Sequence, residues 1–390
     1  MQSMKQPVLA EGASCGAPVY QTHPVGPLFE EEKRYNAWCP SALHFDRRLG
    51  KFIFLIYSCD AHAHTASYPY FTVIDPDTLE AEKPRPIVFQ RPDGQVVDSC
   101  GLCPFALLDS GEYLLITRID GVNHRVVSRD FGKSWWYTGP VRLEGLEGRV
   151  DFWGIYHGNR GRLLAGYDTP HTGIAYSDDG GQSWRHVEIP GNQERLRANE
   201  PCILQLEGDR LMALVRRTLE GASGEETALL TFSDDNGESW SPFRPSQCIR
   251  MNASDCTAVV HDGILEVFSL SRFPAGSPPQ KRTGTAGEIR HYTASLEDAR
   301  ADRFTDRGVV VSSIATSPWG SGDFSTPCCA LDSRGRLLMV YFDAPRPGTV
   351  AYSESRHYFV RGVLAQAGSG DCPSDTRQGD GAMGSVRGKP

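Results

Sequence analysis

Apolar residues along this chain come in short runs closed off by turn residues, and the runs come in pairs. KFIFLIY (51–57), YLLITR (113–118), RLLAGY (162–167), RLMALVRR (210–217), ILEVFSLS (264–271) and RLLMVYF (336–342) each follow a second apolar run and a glycine-containing turn. Runs of this length, rich in branched and aromatic residues and bounded by Gly, Asp and Asn, read as β-strands. A sustained 3.6-residue period, which a core helix needs, is missing. Two such runs about a glycine turn predict a hairpin, with the start of the first strand beside the end of the second. Six such hairpins, each followed by a further pair of strands, predict six four-stranded sheets in a radial repeat.

A second repeat runs through the same frame. SRDFGKSW from Ser128, SDDGGQSW from Ser177 and SDDNGESW from Ser233 share the form S-x-D-x-G-x-S-W. An acid and a glycine fall at turn positions, and a tryptophan opens the next strand. The pattern resembles the Asp-box of the sialidase superfamily, which makes the turn between the outer strands of a propeller blade. The resemblance implies an all-β fold, a six-bladed β-propeller of the sialidase type, in which three blades lack the box. It also implies that the boxes lie on the outer rim, so their aspartates read as structural. The propeller is expected over residues 31–362, after a Pro/Gly-rich lead-in segment at 1–30. A Gly-, Ser- and Asp-rich tail at 363–390 is expected to be disordered, and its GAMGS resembles a cloning remnant.

Charge narrows the function classes. The 390 residues carry a formal net charge of −8, which opposes a general polyanion binder. No nucleic-acid or membrane partner is expected, and an anionic ligand needs a local arginine cluster. No apolar segment of signal-peptide or membrane-spanning length occurs, which predicts a soluble chain made in the cytoplasm. The 11 cysteines fall mostly inside apolar strand patterns and read as reduced, buried thiols. A lone CxxC at Cys100 and Cys103 has no second pair for zinc, so no metal or cofactor is expected.

In a propeller, equivalent positions of every repeat converge on one mouth of the central channel. Aligned, the repeats bring Trp38, Ser99, Trp153, Glu200, Asp255 and either Phe324 or Ser325 to the starts of the inner strands. They bring Arg118, Arg216, Arg217 and Arg272 to the ends of the strands that follow. In RANEPCILQLEGDRLMALVRR (197–217) the hairpin sets Glu200 beside Arg216 or Arg217. A guanidinium fork holds a carboxylate in a planar, bidentate way, so arginines recurring at this place on a net-acidic chain point to an anionic sugar.

The same stretch resembles the sialidase motif in which a glutamate precedes a proline and an arginine follows one hairpin later. RYNAW near the start, NEPC, and SLSR ending in Arg272 resemble the endosialidases of phage tails. The resemblance implies a glycoside hydrolase acting on α-ketosidic sialic acid linkages, endo-acting on polysialic acid. It assigns Glu200, Arg216, Arg272 and His62 to catalysis, and Trp38, Asp60, His64, Arg118, Arg217 and Phe324 to substrate binding. Trp38 stands where exosialidases carry their first arginine, and Phe324 where they carry a nucleophilic tyrosine. With no phenol to deprotonate, Glu200 acts on water or supports an oxocarbenium-like state electrostatically. The proton donor stays open among His62, His64, Asp60 and the substrate's own carboxyl. A sialylated glycan or polysaccharide is the implied partner, and a homotrimer in a virion tail the implied setting. The alternatives are a glycan-binding propeller without catalysis, an exosialidase, and a hydrolase of another nonulosonic acid such as Kdn or Kdo.

Overall fold

The computed structural model describes residues 20–25, 35–37, 41–59, 67–99, 101, 103–147, 149–168, 171–191, 198–217, 227–251, 256–271, 288–312, 324–343 and 356–363. Among them lie six sheets of four or five strands and one two-stranded ribbon. The sheets are numbered here by their innermost strands: Leu43–Asp46, Phe105–Leu107, Phe152–His157, Ala198–Glu207, Cys256–His261 and Phe324–Leu331. Each inner strand packs on the next, and the sixth packs back on the first, so together they ring a central channel. This is the all-β propeller that the paired apolar runs predict.

The core lies between the sheets. Both faces of a sheet are covered by its neighbours, which is why Phe52 to Tyr57 read as a continuous apolar run and are all buried. One cluster joins Leu164 and Ile174 of the third sheet to Ile203, Leu211 and Trp240 of the fourth. Another joins Phe54 and Phe71 of the first sheet to Phe105 and Tyr113 of the second and Leu338 of the sixth.

The three boxes close the outer turns of the second, third and fourth sheets. In each, the first serine donates to the aspartate: Ser128 to Asp130 at 3.0 Å, Ser177 to Asp179 at 2.9 Å, Ser233 to Asp235 at 2.8 Å. The glycine amide donates back to that serine, and the second serine's amide donates to the aspartate. Gly132, Gly181 and Gly237 sit at φ 73, 86 and 88, a left-handed conformation that glycine adopts without steric cost. The other sheets turn by different means. The fifth uses a short helix, Leu296–Arg300, capped by Ser295, and the first uses Asp75, which accepts from the amides of Asp77 and Thr78. The sixth sheet's outer strand, Tyr20–Val25, comes from the other end of the chain and pairs antiparallel with Arg356–Val363.

That closure corrects the expected boundaries. Residues 20–25 belong to the sixth sheet, although the sequence reading placed them in a lead-in segment at 1–30. YQTHPV is short and proline-containing, as suits an edge strand, and its partners stand at the far end of the chain, so no local pattern marks it. The last strand runs to Val363. The expected tail, from residue 364 on, lies outside the described residues.

Candidate functional site

The start of the fourth inner strand is irregular. Asn199 pairs with Arg216 and Pro201 with Val215, so Glu200 is an extra residue, a β-bulge. Its φ is 50, in the left-handed region, which costs a non-glycine residue on the order of 1–3 kcal/mol. Bulges re-aim side chains, and here the carboxylate crosses the hairpin: Arg216 Nη1 donates to Glu200 Oε2 at 2.5 Å. Only 17% of the Arg216 side chain and 11% of the Glu200 side chain are exposed, so the pair sits where charges interact more strongly than in water. Arg217, the next residue, pairs with Ala198. Glu200, Arg216 and Arg217 therefore gather at one end of the fourth sheet.

The third sheet supports this end. Its inner strand has the same irregularity between Phe152 and Gly154, which makes Trp153 the counterpart of Glu200 in the neighbouring repeat. Gly154 pairs with Gly166, and a Cβ added to Gly166 would stand 2.6 Å from the Pro201 carbonyl oxygen. Glycine there lets one sheet press its backbone against the residue that follows Glu200. Thr172 Oγ1 ties the same region down by donating to the Ala198 carbonyl.

Arg118, next to last in the second strand of the second sheet, forms an ion pair with Asp151, which is buried. Asp151 also takes Arg149 Nη2 at 2.6 Å. Burial holds the Arg118 guanidinium below its ordinary range, and the Arg149 charge adds to this. Sequence reasoning missed Arg149 and Asp151, whose only signal is their place directly ahead of the inner strand FWGIYH. Phe324 opens the sixth inner strand, opposite Asp343. Trp38, Asp60, His62, His64 and Arg272 lie outside the described residues.

Deeper in the channel lies a cavity of about 570 Å³, lined from all six inner strands by residues such as His44, Leu107, His157, Leu204, Thr257 and Cys329. On the fourth strand its lining runs from Cys202 to Gln205, inward of Glu200. His44 and His157 meet edge to face, with ring centres 6.4 Å apart. Burial pushes His44 down to about 4, the neighbouring His157 adds to this, and His44 Nε2 lies 3.3 Å from the Phe105 carbonyl oxygen. Burial pushes the Cys329 thiol up to about 12, which makes it a poor nucleophile. Cys103 is buried and donates to the Gly101 carbonyl, while Cys100 lies outside the described residues. Among the described residues no cluster of three His, Cys, Asp or Glu is placed to hold a metal ion.

Comparison with known proteins adds a family profile described as BNR repeat-like domain, which matches residues 86–283. A search of curated proteins finds no significant match. Among solved structures, a protein of unknown function from Dyadobacter fermentans aligns with a TM-score of 0.63 at 16% identity, over 88% of this chain and 99% of that one. The phage phi92 endosialidase aligns with a TM-score of 0.63 at 12% identity, over 95% of this chain and 72% of that one. A leech intramolecular trans-sialidase, complexed with 2,7-anhydro-Neu5Ac, aligns with a TM-score of 0.56 at 14% identity, over 84% of this chain and 67% of that one. At such identities the likeness is one of fold.

Proposed function

Because this chain belongs to the BNR repeat-like domain family, we propose that it is a sialidase-type glycoside hydrolase on a six-bladed propeller. Six sheets with inner strands in a closed cycle support the blade number. One observation carries the activity: Glu200, held at φ 50 on a bulge near the start of the fourth inner strand, presents its carboxylate to Arg216 near the end of the strand that follows. Backbone strain of this kind persists where the surroundings enforce it, and such places cluster at functional sites.

The substrate is an α-ketosidic sialic acid linkage, with polysialic acid as the favoured polymer. Sialic acid carries a carboxylate on its anomeric carbon, and its hydrolysis passes through an oxocarbenium-like state. Arg216 and Arg272 hold that carboxylate, since a fork of N–H donors suits a planar anion. Glu200 then takes a proton from the attacking water or stabilises the cationic centre. His62, His64 and Asp60 are the proton donors to test first, with Trp38 and Phe324 against the sugar. The fold shared with a phage endosialidase over 95% of this chain supports the polymer as the first substrate to try.

The deciding experiment incubates the wild-type chain and Glu200→Ala with colominic acid and with a fluorogenic sialoside, followed by chain-length analysis. Wild type is expected to shorten or cleave one of them, and Glu200→Ala to lose that turnover. Binding without cleavage by wild type would favour the rival reading, a glycan-binding propeller. That rival has one observation on its side: Glu200 Oε2 is already engaged by Arg216.

A further inference from the structure

Glu200 stands on a bulge at φ 50, and strain of that kind persists only where the surroundings enforce it. Within its own sheet the ladder gives little support. A bulge leaves its extra residue out of the pairing, and Pro201, next in the chain, has no N–H to give. The third sheet reaches the same strand on both sides of Glu200. Tyr156 Oη donates to the Pro201 carbonyl at 3.4 Å, one residue after it. Thr172 Oγ1 donates to the Ala198 carbonyl, two residues before it.

The strand register explains why both hydroxyls face the fourth sheet. Tyr156 pairs with Leu164 and Gly154 with Gly166, and these pair in turn with Tyr176 and Ile174. Residues two apart on a strand share a face, so all six look the same way, and Leu164, Ile174 and Tyr156 pack with Ile203 and Leu211 of the fourth sheet. Thr172 stands two residues before Ile174. A Cβ on Gly154 would lie 2.4 Å from Tyr156 Oη, and one on Gly166 would lie 2.6 Å from the Pro201 carbonyl oxygen. Glycine at both positions gives the hydroxyl and the carbonyl room to meet.

We propose that Tyr156 and Thr172 are positioning residues: their hydroxyls clamp the bulge from the third sheet and so keep the Glu200 carboxylate on Arg216. The part they play in turnover rests on the hydrolase reading above; the clamp on the bulge does not. Without the two bonds the strand is free to shed its strain by slipping one residue into regular register. A slip of one sends a side chain to the opposite face of its sheet. The carboxylate then leaves Arg216, although every group at the site is still present.

The test uses Tyr156→Phe, Thr172→Val and Thr172→Ser in the full chain, the first two each removing one hydroxyl while keeping bulk. Without ligand, amide hydrogen exchange over residues 198–217 is expected to quicken roughly five- to tenfold in Tyr156→Phe and Thr172→Val, about what one hydrogen bond is worth. The other five inner hairpins are expected to stay within about twofold of wild type. With the fluorogenic sialoside, kcat is expected to fall roughly tenfold in these two variants while KM stays within about threefold. Thr172→Ser keeps the hydroxyl and is expected to hold kcat within about threefold of wild type. Unchanged exchange over 198–217 in both hydroxyl-deleted variants, or an equal rise in all six hairpins, would overturn the clamp. Faster exchange with wild-type kcat would overturn the positioning role, as would a loss in Thr172→Ser equal to that in Thr172→Val. If wild type cleaves no sialoside, the hydrolase reading fails, and the exchange pattern still decides the clamp.

Discussion

Glu200 and Arg216 meet because one extra residue on an inner strand turns the glutamate into the left-handed region, at φ 50, and carries its carboxylate to 2.5 Å from Arg216 Nη1. The strain lies in the backbone and can be measured apart from the charge. Glycine adopts this conformation freely, whereas alanine carries the same Cβ clash as glutamate. Glu200→Gly is therefore expected to be more stable than Glu200→Ala by about 1 kcal/mol in urea unfolding, although glycine is ordinarily the less stable choice. Both variants should be inactive. The opposite order of stability would show that the bulge is unstrained.

Gly166 tests whether the third sheet positions the fourth. A Cβ there would lie 2.6 Å from the Pro201 carbonyl oxygen, and backbone on both sides must move to admit it. Gly166→Ala is expected to cost about 1–3 kcal/mol, as overpacked sites do. The movement reaches the residue before Pro201, so turnover of the fluorogenic sialoside should drop more than tenfold. Wild-type turnover in this variant would mean that the sheets can part without displacing Glu200.

The channel histidine gives the fold a pH dependence of definite sign. His44 titrates at about 4 in the fold, against the ordinary value of about 6.5 in the unfolded chain. Between these values the unfolded chain binds a proton that the folded one does not. Stability therefore falls as pH drops from 6.5 towards 4, by about 3 kcal/mol in all, and levels off below that. Burial lowers His157 in the same direction. His44→Gln, which can still donate to the Phe105 carbonyl, is expected to flatten the melting temperature between pH 7.5 and 4.5. An unaltered slope would place the effect elsewhere.

Tyr20 holds the ring shut. Its hydroxyl lies 3.3 Å from His291 Nδ1, His291 in turn meets Glu266 through Nε2, and the ring stands edge-on to Phe268 at 6.1 Å. Tyr20→Phe removes one hydrogen bond and is expected to cost about 1 kcal/mol. Tyr20→Ala also opens a hole between the fifth and sixth sheets and is expected to cost about 3–5 kcal/mol. Denaturant midpoints that match for all three proteins would show that strand Tyr20–Val25 adds nothing to closure.

The sequence by itself determined whatever is local. Paired apolar runs about a glycine turn predict hairpins because alternate burial and turn chemistry are decided within about twenty residues. All six quoted hairpins are inner hairpins of the observed sheets. The Asp-boxes were equally legible, since serine, aspartate and glycine bond to one another within four residues. Tertiary structure decided the rest. A bulge shifts register by one, so the hairpin alone left Glu200 between Arg216 and Arg217. Asp151 against Arg118 and Gly166 against Pro201 meet only because one sheet packs on the next, and Tyr20 reaches His291 only because the first described strand closes the sixth sheet. Their spacing in the chain carries no trace of the contact, because what selects them is the space left between neighbouring sheets.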